Sequence, residues 1–457
     1  MGHLLLESLG QDPDAAREAC GTFTFTFTAA PPLREEVPNL FLDPEHRFQS
    51  FLGIGTAITD ASAEVFAKLP EKAQRTLLKA CWSPTEGNGY RFCRTSIHSC
   101  DFSSASYTYC DEDDEELKSF SIAPDLRYRI PMIRAAREAS GGQLQLLASP
   151  WSAPGWMKDT GTMLEGGRLR PEHRRTWARY ITRFLAAWTR EGLPFWGLTV
   201  QNEPAATQRW ESMLWDGVEE HGFLRDHLAP ALASTGFKDL KVLGWDHNRD
   251  LLPARARALL SGDSGAPDVW GIGFHWYETW SGSAPLHCNV AAVREAYPDT
   301  PLIMTEACVE GFTRSEIDAW AHAERHASEI IGDLAAGASA WIAWNVLLDF
   351  EGGPNHVGNT CFAPIHGDPE TGEVQFTRSH AVLGQFSRHL APGAQRIAAS
   401  TTRSALRTVA FRNPDGTVVA FLLNQSDQAE MVHCTLGDRQ AALPSPPRTL
   451  QTLRCQA

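Results

Sequence analysis

Strict alternation of apolar and polar residues marks a segment near the N-terminus. In TFTFTFT, Thr22 to Thr28, one face would carry only phenylalanine and the other only threonine, as in a half-buried antiparallel strand. Residues 405–426, ALRTVAFRNPDGTVVAFLLNQS, predict two strands joined by the turn NPDG, and EMVHCTL and RTLQTLRC predict further strands. Because the phenylalanine stripe needs a partner sheet, we expect both chain termini to build one small antiparallel β-sandwich domain, over 20–48 and 393–457.

Between these ends, eight short apolar runs alternate with longer segments of helical periodicity. RTWARYITRFLAAWTREG, Arg175 to Gly192, has apolar residues at helical spacing and a glycine stop. Eight strand-then-helix units with buried parallel strands are typical of the α/β class and predict a (β/α)8 TIM barrel over 49–392. The eight runs are FLGIGTAITD (51–60), YRFCRTSI (90–97), LQLLASPW (144–151), FWGLTVQNEP (195–204), LKVLGWDH (240–247), VWGIGFHWY (269–277), PLIMTEAC (301–308) and SAWIAWNV (339–346).

Composition is that of a globular protein with a large core, and charge narrows the choice of partners. Of the 457 residues, 43% are hydrophobic, which is ordinary for this class. The formal net charge of −14 argues against nucleic acid as a partner. The ten cysteines are dispersed without a C-x-x-C pair, which favours reduced thiols over a zinc site or a disulfide framework.

The first residues lack the pattern of a secretory leader. MGHLLLESLG has a three-residue apolar run followed by an acid, without a basic region or a long apolar core. Nowhere does an apolar run approach the roughly 20 residues of a membrane span. We therefore expect a cytoplasmic protein without a transmembrane segment, or a secreted one if a leader had been removed. The sequence leaves the oligomeric state open.

The fourth apolar run ends in polar groups. In GLTVQNEP, Gly197 to Pro204, a strand ends in two amides and a carboxylate, which are costly to bury without partners. The carboxyl ends of TIM-barrel strands form the active-site face, so we expect these groups to face a cleft. Polar or aromatic residues also follow other runs, namely Asp101, Trp151, His275 to Tyr277, Glu306, Trp341 and Trp344 with Asn345.

Two carboxylates, Glu203 and Glu306, therefore end strands of the predicted barrel among aromatic residues. Glycoside hydrolysis requires such a pair, with one carboxyl protonated as the acid and the other ionised. A separation of about 5 to 5.5 Å would give retention of the anomeric configuration. Arg94, on the second strand, could lower the pKa of the nucleophile, and Asn202 could hydrogen-bond a sugar 2-hydroxyl.

Ten longer motifs run in order from about residue 50 to 398: ITDASAEV, SCDFSSASYTYCD, LLASPWSAPGWMK, TWARY, VQNEP, WDHNRD, HWY, TEACVEG, WNVLLDFEGGPNHVGN and GQFSRHLAPGAQRI. Together they resemble glycoside hydrolase family 30, the glucosylceramidase-like branch of the clan A retaining barrels. The resemblance covers nearly all of the predicted barrel. It implies a barrel with a β domain built from both termini, which agrees with the hydrophobic pattern.

The resemblance also implies a role for each matching residue. Glu203, in NEP, matches the acid/base, and Glu306, in TEAC, matches the nucleophile. No metal or organic cofactor is implied, and the expected partner is a carbohydrate or glycolipid substrate. The positions that match the sugar-binding pocket are Asp101, Trp151, Asn202, Trp344 and Asn359, and those that match the surroundings of the nucleophile are Arg94, His275 and Tyr277.

The substrate stays open within this family. A β-1,6-glucan would need an open cleft with aromatic residues such as Trp280, whereas glucosylceramide would need an exposed apolar lip. The acidic composition favours the glucan. A β-xylosidase or a β-fucosidase is a further alternative, because pocket walls decide between these sugars.

Other readings of the same residues stay open as well. The barrel could bind carbohydrate without cleaving it, if the two carboxyl groups were far apart. Glu310 is a rival to Glu306 as the second carboxylate, although its position favours a surface loop. A metal-dependent barrel hydrolase is disfavoured, because the first strand lacks a His-x-His pair.

Overall fold

The computed structural model describes residues 2–27, 35–261 and 269–456. Thr28, the last residue of the predicted alternating strand, lies outside the described residues. The chain divides into two compact units. One comprises Met1–Ile54, Asp318–Ala340 and Phe376–Ala457, and the other comprises Gly55–Ile317 and Trp341–Gln375.

Eight parallel strands close into a barrel, and seven of them lie within the predicted apolar runs, while the fifth extends one residue beyond its run, so the predicted TIM barrel is confirmed. Their side chains are buried along almost their whole length, as expected for a parallel sheet covered on both faces. In chain order the strands are β1 (Gly53–Ala57), β2 (Phe92–Ile97), β3 (Gln145–Pro150), β4 (Gly197–Thr199), β5 (Lys241–Asn248), β6 (Gly271–His275), β7 (Leu302–Glu306) and β8 (Ala340–Ala343).

Helices follow most of the barrel strands. The helix predicted at 175–192 spans Arg174–Arg190 and ends before Gly192, whose φ of +79° is the left-handed conformation that favours glycine. Its buried side chains recur at helical spacing, with Trp177, Ile181 and Phe184 among them. The α-helices of the described residues are Pro13–Glu18, Asp60–Lys68, Glu71–Trp82, Ala123–Arg127, Arg129–Ala139, Arg174–Arg190, Gly217–Phe223, Ala229–Ser234, Leu252–Leu260, His287–Ala296, Trp320–Ala336 and Arg378–His389.

A second closed sheet combines strands from both chain ends, as predicted. The predicted hairpin pairs Leu406–Arg412 with Thr417–Asn424, and the amide of Asn413 donates to the carbonyl of Thr417 over 2.8 Å to close the turn. Its strands are Gly2–Gly10, Gly21–Phe27, Asn39–Ser50, Gln395–Thr401, Leu406–Arg412, Thr417–Asn424, Glu430–Leu436, Arg439–Ser445 and Thr449–Gln456.

The N-terminal strands follow the predicted alternation only in part. Phe23 packs against the core of the terminal sheet while Thr22 and Thr24 are exposed, which confirms the predicted alternation at these three residues. The strand Gly2–Gly10 was not predicted, because its three consecutive leucines hide the alternation. It lies between the strands Gly21–Phe27 and Thr449–Gln456 and pairs with both.

Short pairings complete the described structure. Val309–Glu310 pairs with Cys361–Phe362, and Leu347–Leu348, Ile365–Gly367 and Val374–Phe376 form a three-stranded sheet. All ten cysteines lie in the described residues, where none is paired in a disulfide. None of the described helices has the length and apolar character needed to cross a membrane.

Candidate active site

One cavity of about 690 Å³ gathers the predicted site residues at the carboxyl ends of the barrel strands. Arg94 and His275 are absent from its lining because both are fully buried, yet each contacts one of the two carboxylates that line it. The structure thus brings all ten predicted side chains together. The eight that line the cavity are Asp101, Trp151, Asn202, Glu203, Tyr277, Glu306, Trp344 and Asn359.

Glu306 is the last residue of β7, and two donors hold its carboxylate. Arg94, on β2, donates from Nη1 to Oε2 of Glu306, and the hydroxyl of Tyr277 donates to Oε1 over 3.2 Å. Arg94 is fixed in turn, because Nη2 donates to Oδ1 of Asn202 over 2.7 Å and Nε donates to Oγ of Ser149 over 3.0 Å. Both oxygens of Glu306 therefore accept hydrogen bonds, which favours the ionised carboxylate.

Glu203 follows β4 in a sparsely populated backbone conformation. Beyond the end of β4, the amide of Asn202 still donates to the carbonyl of Pro150 over 2.8 Å, and the amide of Glu203 donates to the carbonyl of Asp246 over 3.0 Å. The φ of Glu203 is +47°. For a residue other than glycine this conformation costs about 1 to 3 kcal/mol and is found most often at functional sites.

The two carboxylates are close neighbours. Oxygens of Glu203 and Glu306 and a ring nitrogen of His275 all lie within 4.8 Å of one another. These three side chains could also coordinate a metal ion, since carboxylates and imidazole are common metal ligands. A metal ion is disfavoured there, because Arg94 already pairs with Glu306 and the raised pKa of His275 keeps both ring nitrogens protonated at neutral pH.

Neighbouring charges move the pKa values of these groups in different directions. Burial raises the pKa of Glu306 and the charge of Glu203 adds to this effect, while Arg94 lowers it, as predicted, without prevailing. Burial also disfavours the charge on Glu203, but His247 and His275 hold the pKa of Glu203 at about 2. Burial disfavours a charge on His275 too, yet the surrounding carboxylates raise the pKa of His275 to about 9. His275 therefore carries a positive charge at neutral pH.

An aromatic pair forms part of the cavity wall beside the carboxylates. The rings of Trp151 and Trp344 are stacked, with centroids 5.2 Å apart and an interplanar angle of 22°. The guanidinium carbon of Arg94 lies 4.8 Å from the centroid of the Trp151 ring. Broad apolar faces of this kind suit the C–H faces of a sugar ring, and the cation fixes their position.

Asp101 and Asn359 form a hydrogen-bonded pair on the cavity wall. Nδ2 of Asn359 donates to Oδ2 of Asp101 over 2.8 Å. Burial and the charge of Glu306 raise the pKa of Asp101 to about 8. The pair thus offers both donors and acceptors to hydroxyl groups of a ligand.

Asp246 and His247, both at the end of β5, belong to the site although neither was predicted. Asp246 is fully buried and contacts Arg94 and His275, and Nε2 of His247 lies 3.9 Å from Oε1 of Glu203. The sequence carried a signal for them, because the apolar run LKVLGWDH ends in charged groups just as the fourth run ends in QNEP.

The outer part of the cavity holds residues of a different kind. Glu310, the rival carboxylate, is exposed at its rim and stands on the short strand Val309–Glu310. Leu251 and Trp280 also line the cavity, and they are 46% and 76% exposed. The inner cavity therefore combines charged groups with the aromatic faces of Trp151 and Trp344, while the opening carries apolar surface from Leu251 and Trp280.

Comparisons with known proteins agree with this architecture. Residues 51–390 match the description "Glycosyl hydrolase family 30 TIM-barrel domain", and residues 393–453 match "Glycosyl hydrolase family 30 beta sandwich domain". The chain is 35% identical over 413 residues to the lysosomal acid glucosylceramidase of Mus musculus, covering 87% of this chain and 79% of that protein.

Two further relatives broaden the comparison. The endo-1,6-beta-D-glucanase of Neurospora crassa is 28% identical over 393 residues, which cover 81% of this chain and 78% of that protein. The crystal structure of SrfJ from Salmonella typhimurium superposes with a TM-score of 0.92 at 31% identity, covering 100% of this chain and 99% of that chain.

Proposed function

The chain belongs to glycosyl hydrolase family 30 and is a glycoside hydrolase, and from this premise we propose that it cleaves β-D-glucosides with retention of configuration. Glu306 is the nucleophile and Glu203 the acid/base. The aglycone is apolar, as in glucosylceramide. The observation that carries the proposal is the spacing of the two carboxylates.

Oxygens of Glu203 and Glu306 lie within 4.8 Å of each other. Retaining glycosidases hold their two carboxyl groups about 5 to 5.5 Å apart, whereas inverting ones need about 6.5 to 9.5 Å to admit a water molecule between carboxylate and sugar. The separation supports direct attack by a carboxylate, and it disfavours a barrel that only binds carbohydrate.

In the first step an oxygen of Glu306 attacks the anomeric carbon, and the bond from that carbon to the aglycone oxygen breaks. The proton that the departing oxygen needs is held by Glu203 and His275 together, because Nδ1 of His275 lies 3.3 Å from Oε1 of Glu203. Asn202, fixed by Arg94 at 2.7 Å, faces the cavity and is placed to bind a sugar hydroxyl. The product is a glycosyl ester of Glu306.

In the second step a water molecule attacks the anomeric carbon of this ester, and Glu203 accepts its proton. The carboxylate of Glu306 leaves, and the charge that returns to it is stabilised by Arg94 and by the hydroxyl of Tyr277. Two inversions at one carbon give net retention.

The opening of the cavity favours an apolar aglycone. Leu251 and Trp280 are exposed large apolar residues that line the cavity, and such surface is what a lipid chain would cover. Trp280 alone would suit a β-1,6-glucan equally, so the choice of an apolar aglycone rests on Leu251 and on the relatives. The glucosylceramidase of Mus musculus is more similar to this chain than the glucanase of Neurospora crassa, at 35% against 28% identity. These observations outweigh the acidic composition, which favoured a soluble glucan.

Product release from a panel of glycosides tests this function. The panel comprises glucosylceramide in detergent, β-1,6-gluco-oligosaccharides, and aryl β-glucoside, β-xyloside and β-fucoside, and the anomer formed first is read by NMR. We expect cleavage of glucosylceramide and the aryl β-glucoside with retention. Glu306→Gln should lose at least about 10⁴-fold in kcat/KM, since the covalent step requires it.

Matched variants separate the two carboxylate roles. Glu203→Gln should retain activity on an aryl glucoside with a good leaving group when azide is added, because azide replaces the water that Glu203 would activate. Glu310→Gln, a change of the same chemistry at the cavity rim, should leave kcat/KM within about twofold. Full activity of Glu306→Gln would refute the assignment, and so would a first product of inverted configuration.

A further inference from the structure

Asp246 lies between the side chain that contacts the nucleophile and the side chain that contacts the acid/base, although it faces no substrate. It is fully buried at the end of β5 and does not line the cavity. Oδ2 of Asp246 accepts from Nη2 of Arg94 over 2.8 Å, and Oδ1 lies 3.0 Å from Nε2 of His275. Arg94 contacts the nucleophile, and His275 contacts the acid/base.

The backbone at this position is strained in a way that serves the same contacts. Trp245 and Asp246 have φ values of +71° and +56°, and the pairing of β5 with β6 shifts register between Trp245 and His247. This irregularity places the side chain of Asp246 against His275 and its carbonyl against the amide of Glu203, at 3.0 Å. Strain of this kind persists only where the surrounding contacts hold it.

We infer that Asp246 is a positioning residue that holds the His275 ring and its proton in place for transfer to Glu203. This inference rests on the acid/base role proposed for Glu203 above. In the step that releases the aglycone, the one proton that Glu203 and His275 share moves from Nδ1 of His275 to Glu203 and on to the aglycone oxygen, which leaves the His275 ring neutral and Glu203 ionised. In the hydrolysis step, the proton taken from water returns by the same route.

His275 lies among several charged groups, which together set its protonation. A buried carboxylate at its Nε2 favours the protonated ring and fixes its orientation, as the buried aspartate of a catalytic triad does. Arg94 lies beyond Asp246 and offsets part of this negative charge. The titratable groups that face the ring are Glu203 after β4, Asp246 and His247 on β5, Tyr277 after β6 and Glu306 on β7.

Asp246→Asn is the informative substitution. The amide keeps the size of the carboxylate and can still accept a hydrogen bond from Arg94, but its NH2 group would face Nε2 of His275. That contact requires a lone pair on Nε2 and therefore a neutral ring. The variant would keep the packing of the site and remove the stored proton.

The dependence of kcat/KM on the leaving group distinguishes a lost proton from a structural defect, because a structural defect would lower kcat/KM for every leaving group. We measure kcat/KM for an alkyl β-glucoside, which needs a proton on the leaving oxygen, and for 2,4-dinitrophenyl β-glucoside, which does not. Asp246→Asn should lose about 100-fold on the alkyl glucoside and stay within about threefold on the dinitrophenyl glucoside. The basic limb of the alkyl glucoside pH profile should move down by about one pH unit or more.

Controls separate this inference from misfolding and from the proposed function. Thr305→Val removes a hydroxyl that donates to Asp246 over 2.5 Å but keeps the carboxylate, so the basic limb should stay in place. The inference would be overturned if Asp246→Asn lowered kcat/KM equally for both glucosides. It would also be overturned if the basic limb of the alkyl glucoside pH profile did not shift. Full activity of Glu203→Gln on the alkyl glucoside would instead show that the proposed acid/base role had failed.

Discussion

Trp280 provides the sharpest test of the apolar aglycone. Its side chain is 76% exposed at the opening of the cavity. A tryptophan side chain has up to about 250 Å² of surface, so roughly 150 to 190 Å² is free for a ligand. A lipid chain that covers one face would bury about 80 Å², which is worth about 2 kcal/mol at 25 cal/mol per Å².

This estimate predicts a selective loss in Trp280→Ser. For glucosylceramide in detergent micelles, kcat/KM should fall about 10- to 30-fold, the equivalent of about 1.4 to 2 kcal/mol in transition-state binding. For methyl β-glucoside, whose aglycone is too short to reach the opening, kcat/KM should change by less than about twofold. The ratio of the two losses is the quantity to measure, because it cancels any general damage to the catalytic carboxylates.

Val218→Ser is the matched control for this measurement. Val218 is 78% exposed but does not line the cavity, so its replacement removes apolar surface without touching an aglycone. Val218→Ser should leave kcat/KM unchanged for both substrates. It thereby excludes the possibility that any loss of exposed apolar surface weakens binding to micelles. The apolar surface at the cavity opening does not bind the aglycone if Trp280→Ser lowers kcat/KM equally for both substrates. The same conclusion follows if Val218→Ser lowers kcat/KM for glucosylceramide alone.

Two predictions concern stability. Burial and the charge of Glu306 raise the pKa of Asp101 to about 8, so its proton stabilises the fold fully below about pH 4 and this stabilisation is lost as the pH rises through about 8. In thermal melts, the free energy of unfolding of Asp101→Asn relative to the wild type should be at least about 1 kcal/mol higher at pH 8 than at pH 5. The same pH dependence of stability in both proteins would contradict this prediction. Lys158 is fully buried and donates to Ser152, Met163 and Ser212. Lys158→Met should lower the free energy of unfolding by about 2 to 4 kcal/mol, because three acceptors lose their donor; an unchanged urea midpoint would refute it.

The barrel and its two carboxylates could be predicted because their signals are local. Each barrel strand is one short apolar run. A polar group at the carboxyl end of such a run lies at the active-site face of the barrel. Glu203 and Glu306 were therefore recognised by position, and the ten motifs extended this to the pocket. Asp246 also stands at the end of an apolar run, but its position alone does not reveal that it contacts Arg94 and His275.

Features that depend on distant partners could not be predicted in this way. The strand Gly2–Gly10 completes its pairing only with residues 449–455, and no local pattern encodes a partner so far along the chain. The pKa of Glu306 is a second case. Arg94 predicts a lowered pKa, but the net direction follows from burial and from Glu203, which only the folded site brings near.

The pairing of the first strand with the last has a consequence for how the protein is made. Leu4 pairs with Cys455 and Gly10 pairs with Thr449, so the strand Gly2–Gly10 cannot complete its sheet until residues 449–455 have been synthesised. At 5 to 20 residues per second, this wait lasts roughly 20 to 90 seconds. Leu4 and Leu6, which are buried in the finished sheet, lack these partners throughout that time. On the ribosome, the strand Gly2–Gly10 thus stays unpaired on this edge until its partner at residues 449–455 has emerged.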